Sequence, residues 1–222
     1  MALPAGIERR SFGGEKRLAT RGEPIGSERT RDDWREWDPH RSKVAAMLEF
    51  GMETGLTPDA VVLYLGAAAG TTVSHVADVA GPTYAVEFAP RPVRDLLEVA
   101  ADRPSLFPLL EDARRPETYA HVVESPVDVL IQDVATTGQA RVAALNARFL
   151  ADDGRLLLAI KARSEDVTRE PAAVFDAALE ELESTYEVLA TADLAPYHED
   201  HLGVLATPRE ARTDDRVQEL FT

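Results

Sequence analysis

The sequence predicts an α/β fold in which a mostly parallel β-sheet lies between layers of helices. Three observations support this prediction. Short apolar runs typical of strands alternate with helical segments from residue 59 onward. Runs such as VVLYLG and RLLLAI are apolar at nearly every position, which is typical of parallel strands buried on both faces. The last two runs are joined by a connection too short for a helical crossover, so we expect them to pair antiparallel.

The individual elements follow from these patterns. Strands are predicted at 61–66, 83–88, 106–111, 127–133, 154–162, 186–194 and 201–207. Helices are predicted near 71–80, 90–102, 138–150 and 169–184, and one more after Asp38-Pro39, where apolar residues recur at helical spacing. Residues 1–38 show no helical period, so we divide the chain into a small β-rich extension, 1–38, and a main domain, 39–222.

A seven-stranded, mostly parallel sheet that ends in an antiparallel hairpin is typical of class I methyltransferases, a variant of the Rossmann-like dinucleotide-binding architecture. Open sheets of this kind bind ligands at the carboxyl edge of their strands. The residues that follow each predicted strand are therefore the candidates for a binding site.

Composition excludes several classes of protein. The 222 residues are 45% hydrophobic and contain no cysteine, which excludes a disulfide scaffold, a thiolate nucleophile and Cys-ligated zinc. No apolar run approaches the roughly 20 residues that span a bilayer, and the first residues lack the apolar core of a signal peptide. We therefore expect a soluble, cytoplasmic protein.

The charge of the chain is strongly acidic, with 39 acidic and 24 basic residues and a net charge of −15. One interpretation is that the protein avoids nucleic acid, because phosphates require cations. We favour adaptation to high salt, since the basic residues are almost all arginine and lysine occurs only as Lys16, Lys43 and Lys161. Residues 1–45 carry ten basic and eight acidic residues, which is either a chance fluctuation or a segment that lies near a polyanion.

A glycine-containing turn follows the first strand of the main domain. Gly66 permits a tight turn, and Ala67 and the small residues up to Gly70 let a ligand approach the backbone before the helix that begins at Thr71. The segment does not match the G-x-G-x-x-G motif. It is not a phosphate-binding P-loop either, because no lysine follows Gly70.

Acidic residues follow the next three strands. Glu87 lies 21 residues after Gly66, the position from which a carboxylate binds ribose hydroxyls. Asp112 follows the third strand and can accept a hydrogen bond from an adenine amine, and Asp133 follows the fourth. Acids also cap helices after strands, but that explanation accounts poorly for all of them together.

Four segments closely resemble the fibrillarin family, in its archaeal form. They are VLYLGAAAGTTVSHVADVAG, YAVEFAPRPVRDLLEVAADRPSLFPLLEDARRPETY, VDVLIQDVATTGQARVAALNARFL and IKARSED, and the resemblance runs almost without gaps from about Arg41 to Pro208. The family often has Ser where Ala69 stands, and a Gln-Pro pair where Thr136 and Thr137 stand. The resemblance implies S-adenosylmethionine-dependent 2'-O-methylation of ribose in RNA, which contributes to rRNA and tRNA processing.

The resemblance also implies which residues contact the cofactor. Thr71 and Thr72 would meet its methionine end, beside the Gly66-Ala67 turn. The remaining implied contacts are Glu87 and Phe88 at the ribose and adenine, Asp112 and Ala113 at the adenine, and Asp133, Val134, Ala135 and Thr136 beneath the methyl group.

Lys43, Asp133, Lys161 and His201 are the predicted catalytic residues. Methyl transfer to a ribose hydroxyl requires a group that stabilises charge on the oxygen, and Lys161 lies at the end of the fifth strand, on the same edge as Asp133. The resemblance implies a Lys-Asp-Lys arrangement with a fourth polar group, here His201. We expect Asp133 to orient Lys161 and to accept the proton, and Lys43 and His201 to position the nucleotide. His75 is expected to be structural.

The resemblance further implies a particle with several components. These are a box C/D guide RNA, a Nop-domain scaffold protein, a kink-turn-binding ribosomal-type protein and the target rRNA or tRNA. No metal-binding motif is present, and none is needed for this reaction. The alternatives are a small-molecule O-methyltransferase of the same fold and a non-catalytic structural subunit of a ribonucleoprotein.

Overall fold

The computed structural model describes residues 3–209, so the last 13 residues of the predicted main domain and the first two of the extension lie outside the described residues. The chain forms two β-sheets and six α-helices within that range. The elements are β1 (Glu8–Phe12), β2 (Glu15–Arg21), β3 (Thr30–Arg31), β4 (Trp34–Glu36), α1 (Lys43–Glu49), β5 (Val62–Leu65), α2 (Thr71–Ala77), β6 (Thr83–Glu87), α3 (Pro90–Ala101), β7 (Leu106–Leu110), β8 (Val127–Gln132), α4 (Gln139–Asn146), β9 (Leu150–Lys161), α5 (Ala162–Glu165), α6 (Pro171–Leu182), β10 (Tyr186–Asp193) and β11 (His201–Pro208).

The larger sheet has seven strands in the order β10-β11-β9-β8-β5-β6-β7. Strands β7, β6, β5, β8 and β9 pair parallel, whereas β11 pairs antiparallel with both β9 and β10. The predicted class I methyltransferase fold and its antiparallel hairpin are therefore confirmed. All four residues of β5 are buried, as expected for a central strand covered on both faces.

Several elements differ from their predicted lengths. Helix α2 ends at Ala77 rather than near residue 80, and the Asp78 carboxylate that follows accepts hydrogen bonds from Arg35 and Arg103. Helix α4 ends at Asn146, whose amide donates to the carbonyl oxygen of Ala113. Strand β9 begins at Leu150, four residues before its predicted start, where the polar pair Asp152-Asp153 hides a strand from pattern analysis.

The N-terminal extension forms a four-stranded antiparallel sheet in the order β1-β2-β4-β3. Its residues Ile7 and Leu18, with the adjoining Trp37, belong to the same hydrophobic core as α1 and β5. The extension therefore packs directly on the main domain, and a boundary at residue 38 stays a prediction.

A buried ionic cluster joins the N-terminal sheet to α2. Arg35 of β4 is fully buried and donates to Asp78 and to Glu28, and Arg103 also donates to Asp78. His75 is buried beside them, stacks on Trp37 with ring centroids 4.9 Å apart and shares a hydrogen bond with Thr20. Its place is structural, as expected from the sequence. Between residues 3 and 209, no helix is long and apolar enough to cross a membrane.

Candidate active site

The carboxyl ends of the parallel strands surround a cavity of about 290 Å³, which we call the edge cavity. Residues from the ends of β5, β6, β7 and β8 contribute to it, as predicted for an open α/β sheet. Its walls are formed by Gly66, Ala68, Val86, Glu87, Phe88, Glu111, Asp112, Ala113, Arg114, Asp133, Val134, Ala135, Thr136 and Val142. The cavity is at the small end of the range for ligand-binding clefts.

Gly66 shapes the floor of the edge cavity. Its φ angle is +85°, which disfavours any residue with a side chain, and a Cβ atom here would collide with the carbonyl oxygen of Asp133. Gly70 also has a positive φ angle and is the N-cap residue just before α2. The turn therefore brings β5 close to the end of β8 in a way that only glycine at position 66 allows.

The carboxylate of Glu87 forms one wall of the cavity. It is largely buried, and its two oxygens accept hydrogen bonds from the backbone N–H groups of Ala68, at 3.0 Å, and Ala89, at 2.9 Å. These bonds fix the orientation of the carboxylate, while each oxygen retains a lone pair for a further donor. Glu87 is thus a rigid acceptor for hydroxyl groups in the cavity.

Phe88 and Asp112 lie at the mouth of the cavity. Phe88 is 69% exposed, so its ring offers an apolar face to a flat ligand. Asp112 binds the guanidinium of Arg114 through both oxygens, at 2.6 to 3.1 Å, and this interaction lowers the pKa of Asp112. Sequence reasoning passed over Arg114, although it stands in the EDAR motif. A ligand amine at Asp112 must share the carboxylate with this arginine.

Three predicted cofactor residues do not line the edge cavity. Ala67 is buried, and Thr72 is buried beside the hydroxyl of Tyr64. Thr71 opens α2, and its carbonyl oxygen accepts a hydrogen bond from Ser74. Their assignment to the methionine end of a cofactor stays a prediction, while Gly66, Glu87, Phe88, Asp112, Ala113, Asp133, Val134, Ala135 and Thr136 all line the cavity.

The predicted catalytic residues meet beside the cavity, but their pairing differs from the expected one. Asp133 forms an ion pair with Lys43, with 3.0 Å between Nζ and Oδ2. In the described part of the chain, Lys161 forms no ion pair, so the expectation that Asp133 orients Lys161 has no direct contact behind it and stays a prediction. The register of the sheet accounts for the absence of this ion pair. Gln132 lies opposite Leu158, so Asp133 lies about two residues before Lys161 along the strand direction. Lys43, at the start of α1, reaches the carboxylate instead.

His201 lies next to Lys161, since the two residues are partners in the β9–β11 ladder. Its Nδ1 lies 2.6 Å from the carbonyl oxygen of Glu199, which can only accept, so Nδ1 carries the proton and Nε2 is left as an acceptor. Partial burial and the positive charges of Lys43 and Lys161 lower the pKa of His201, against an opposing effect of Asp133. The imidazole is therefore neutral near pH 7.

His198 is a neighbour that sequence reasoning missed. Its ring centroid lies 5.7 Å from that of His201. Partial burial and the charge of Lys43 lower the pKa of His198 as well. The signal was the PYHEDH segment, which contains both histidines and leads from the turn after β10 into the first residue of β11. Among residues 3–209, no group of three His, Asp or Glu side chains could hold a metal ion.

Comparison with known protein families shows to which family the chain belongs. The sequence profile of the family described as Fibrillarin matches residues 7–210. The chain belongs to the fibrillarin family. The chain is 70% identical over 210 residues to a Haloarcula marismortui protein named fibrillarin-like rRNA/tRNA 2'-O-methyltransferase. The matched region covers 95% of this chain and all of that protein. That haloarchaeal relative agrees with the salt-adapted composition expected from the charge.

Solved fibrillarin structures superpose closely on this chain. A fibrillarin crystallised in complex with Nop5p has a TM-score of 0.86 and 37% identity, covering 94% of this chain and all of that one. The Aeropyrum pernix fibrillarin, solved with natively bound S-adenosyl-L-methionine, has a TM-score of 0.79 and 40% identity, covering 93% of this chain and all of that one.

One departure from the fibrillarin pattern falls inside the edge cavity. The sequence resemblance implies a Gln-Pro pair in the family where Thr136 and Thr137 stand, and Thr136 lines the cavity beside Asp133. Ala69, the other departure, is not among the residues that line the cavity. The change at Thr136 therefore alters one polar group near the site and leaves the charged residues in place.

Proposed function

We propose that this fibrillarin family member transfers a methyl group from S-adenosylmethionine to the ribose 2'-hydroxyl of rRNA and tRNA. The observation that carries the proposal is the position of Lys43, Asp133, Lys161 and His201 at the same sheet edge as the cavity. The similar Haloarcula protein is named for this activity, and class I folds bind their ligands at this edge.

The cavity residues fit the cofactor. Glu87 presents fixed oxygens to the ribose hydroxyls, and Phe88 presents its ring to the adenine. Asp112 accepts from the adenine amine beside Arg114, and Gly66 lines the cavity without a side chain. When bound, S-adenosylmethionine supplies a methyl group that the 2'-oxygen takes as the C–O bond forms, the C–S bond breaks and its electron pair stays on sulfur.

The polar cluster next to the cavity, formed by Lys43, Asp133, Lys161 and His201, assists the nucleophile. Lys161 stabilises negative charge on the 2'-oxygen as its proton leaves, because no carboxylate of the described chain neutralises its ammonium. Asp133, held by Lys43, and the free Nε2 of His201 are the two groups able to accept that proton. Lys43 and His201 also border the space in which the nucleotide must lie.

The RNA is selected by partners rather than by this chain. A net charge of −17 over residues 46–222 opposes binding to a polyanion. The relative crystallised with Nop5p supports a Nop-domain scaffold as one partner. We include a box C/D guide RNA and a kink-turn-binding protein in the same particle. Because archaeal rRNA and tRNA reside in the cytoplasm, we place the activity there.

The proposal is tested by adding methyl-labelled S-adenosylmethionine to the particle reconstituted at high salt. Label should enter RNA with the wild-type chain and fall by at least about 100-fold with Lys161→Ala. Lys16→Ala, in the N-terminal sheet far along the chain from the site, is the matched lysine control and should keep the wild-type rate. Equal labelling by the Lys161→Ala particle would contradict the assigned site.

A further inference from the structure

The end of β9, which carries Lys161, has a neighbouring strand on one side only. On that side β11 pairs with it as far as His201, opposite Lys161. On the other side the ladder with β8 stops at the pair Gln132 and Leu158. The last residues of β9 therefore extend beyond β8, and the backbone N–H and C=O of Lys161 need another partner there.

The side chain of Gln139 supplies that partner. Gln139 is the first residue of α4 and is fully buried. Its Oε1 accepts the N–H of Lys161 at 2.9 Å, and its Nε2 donates to the carbonyl oxygen of Lys161 at 3.1 Å. One side-chain amide thus makes both hydrogen bonds that a neighbouring strand would make.

Further contacts fix Gln139 itself. Glu165 of α5 accepts from Nε2 of Gln139 at 3.0 Å and from the backbone N–H groups of Gly138 and Gln139 at 2.7 and 2.6 Å. Gln132, at the end of β8, donates from Nε2 to the carbonyl oxygen of Gln139 at 2.8 Å. These partners allow one orientation of the amide, because the reverse would place its oxygen against the Glu165 carboxylate and the Lys161 carbonyl.

The backbone contact matters because little else directs the ammonium of Lys161. Within residues 3–209, that ammonium forms no ion pair, whereas Lys43 is held by Asp133. The end of the β9 backbone therefore fixes the point from which the Lys161 side chain extends toward the reacting oxygen. A displacement of about 1 Å in a group that acts on the reacting atoms is enough to reduce a rate about 100-fold.

We propose that Gln139 is a positioning residue that acts through Lys161: its amide replaces the missing strand at the end of β9 and so places the lysine at the reacting oxygen. Glu165 supports this by holding the amide and the start of α4. The inference rests on the proposed function, because it assigns Gln139 a role in that same methyl transfer.

The test is a double-mutant cycle between Gln139 and Lys161, measured as single-turnover methyl transfer in the assembled particle. Gln139→Met keeps the length of the side chain and removes all three side-chain hydrogen bonds. Gln139→Glu keeps an acceptor for the N–H of Lys161, lacks the donor for its carbonyl and sets a charge against Glu165. Both variants are combined with Lys161→Ala, so that one that fails to fold leaves the other to decide.

Each Gln139 variant alone should lose about 10- to 100-fold in rate, with cofactor affinity changed less than about threefold. In the Lys161→Ala background the same substitution should cost less than about twofold, because Gln139 then has no ammonium to position. Losses that multiply in the double variant, or a Gln139 variant with the wild-type rate, would overturn the proposal.

Leu182→Ala is the control for a purely structural effect. Leu182 is fully buried at the far end of α6, and the substitution lowers stability without contacting the site. Its rate loss below its unfolding temperature should be small and should multiply with that of Lys161→Ala. A failure of the proposed function is distinguishable from a failure of the inference about Gln139, since the wild-type particle itself would then transfer no methyl group to ribose.

Discussion

At the scale of single residues, Lys161 is the side chain to which the proposed mechanism assigns the main electrostatic role. The chain has 24 basic residues and only three of them are lysines, yet two of these three lie in the polar cluster. Charge on the 2'-oxygen develops only as the proton leaves and the methyl group moves. A cation placed there therefore stabilises the transition state more than the ground state.

Lys161→Ala should therefore lose about 10²- to 10⁴-fold in single-turnover rate, with little change in cofactor affinity. Lys161→Arg should not restore the rate, because a planar guanidinium is bulkier and is not readily deprotonated. Single-turnover kinetics and a parallel cofactor titration measure the two quantities. A near wild-type rate for Lys161→Arg would reduce the lysine to a general positive charge.

Glu87 is the residue on which cofactor affinity should depend most. Glu87→Ala should weaken S-adenosylmethionine binding by about 1–3 kcal/mol, the range for losing hydrogen bonds to a charged group. Because Glu87 also holds the N–H groups of Ala68 and Ala89, unfolding of the cofactor-free variant measures the structural part separately. The exposed Glu117→Ala is the control, and calorimetry that finds unchanged affinity for Glu87→Ala would refute the assignment.

At the scale of elements, the turn between β5 and α2 determines how near β8 approaches the cavity. Gly66→Ala must both adopt a positive φ angle and displace the carbonyl of Asp133. We expect loss of cofactor binding together with a fall in stability of several kcal/mol, of which about 1–3 kcal/mol is backbone strain.

Gly26→Ala separates these two costs. Gly26 also has a positive φ angle, but a Cβ atom there meets nothing within 4 Å. This control should lose only the strain contribution and should bind cofactor normally. Thermal unfolding and calorimetry measure both effects, and equal destabilisation of the two variants would show that the contact with Asp133 is unimportant.

The contact between the N-terminal sheet and α2 should make stability depend on pH. Burial lowers the pKa of His75 to about 4, although its contact with Glu28 opposes this. The unfolded chain binds a proton at this histidine below about pH 6.5, while the folded chain does so only near pH 4. Stability should therefore decrease by up to about 1.4 kcal/mol per pH unit as pH falls through that window.

Unfolding temperatures at pH 7, 6 and 5 test this dependence. The decrease should be smaller in His75→Gln, which removes the titrating group, than in the wild type. The exposed His121→Gln should follow the wild type. Parallel curves for wild type and His75→Gln would show that His75 does not contribute.

At the scale of the whole molecule, the succession of strands and helices and the carboxyl edge of the sheet could be predicted from the sequence, because the alternation of apolar runs and helices is local. The residues that converge on the edge, such as Glu87 and Asp133, followed from that order. The Lys43–Asp133 pair could not be predicted, since it depends on how α1 packs across the sheet. Nor could the contact between Gln139 and Lys161, which depends on β8 ending before β9.

The charge of the molecule separates catalysis from RNA recognition. Most of the chain carries a strong negative charge, while the sheet edge beside the cavity holds Lys43 and Lys161. Such a surface repels RNA unless partners bring a ribose to the edge cavity, and the screening of charge at high salt reduces that repulsion only in part. The activity is therefore expected to belong to the assembled particle.

The central claim is that this chain methylates a ribose 2'-oxygen chosen by a guide. The measurement is mass spectrometry of nucleosides from target RNA treated with the reconstituted particle, with two guides directed at different riboses. We predict a 2'-O-methylated nucleotide at each guided position in turn, and none with the isolated chain. Methylation of a base, or a methylated position that stays the same when the guide is changed, would contradict the account.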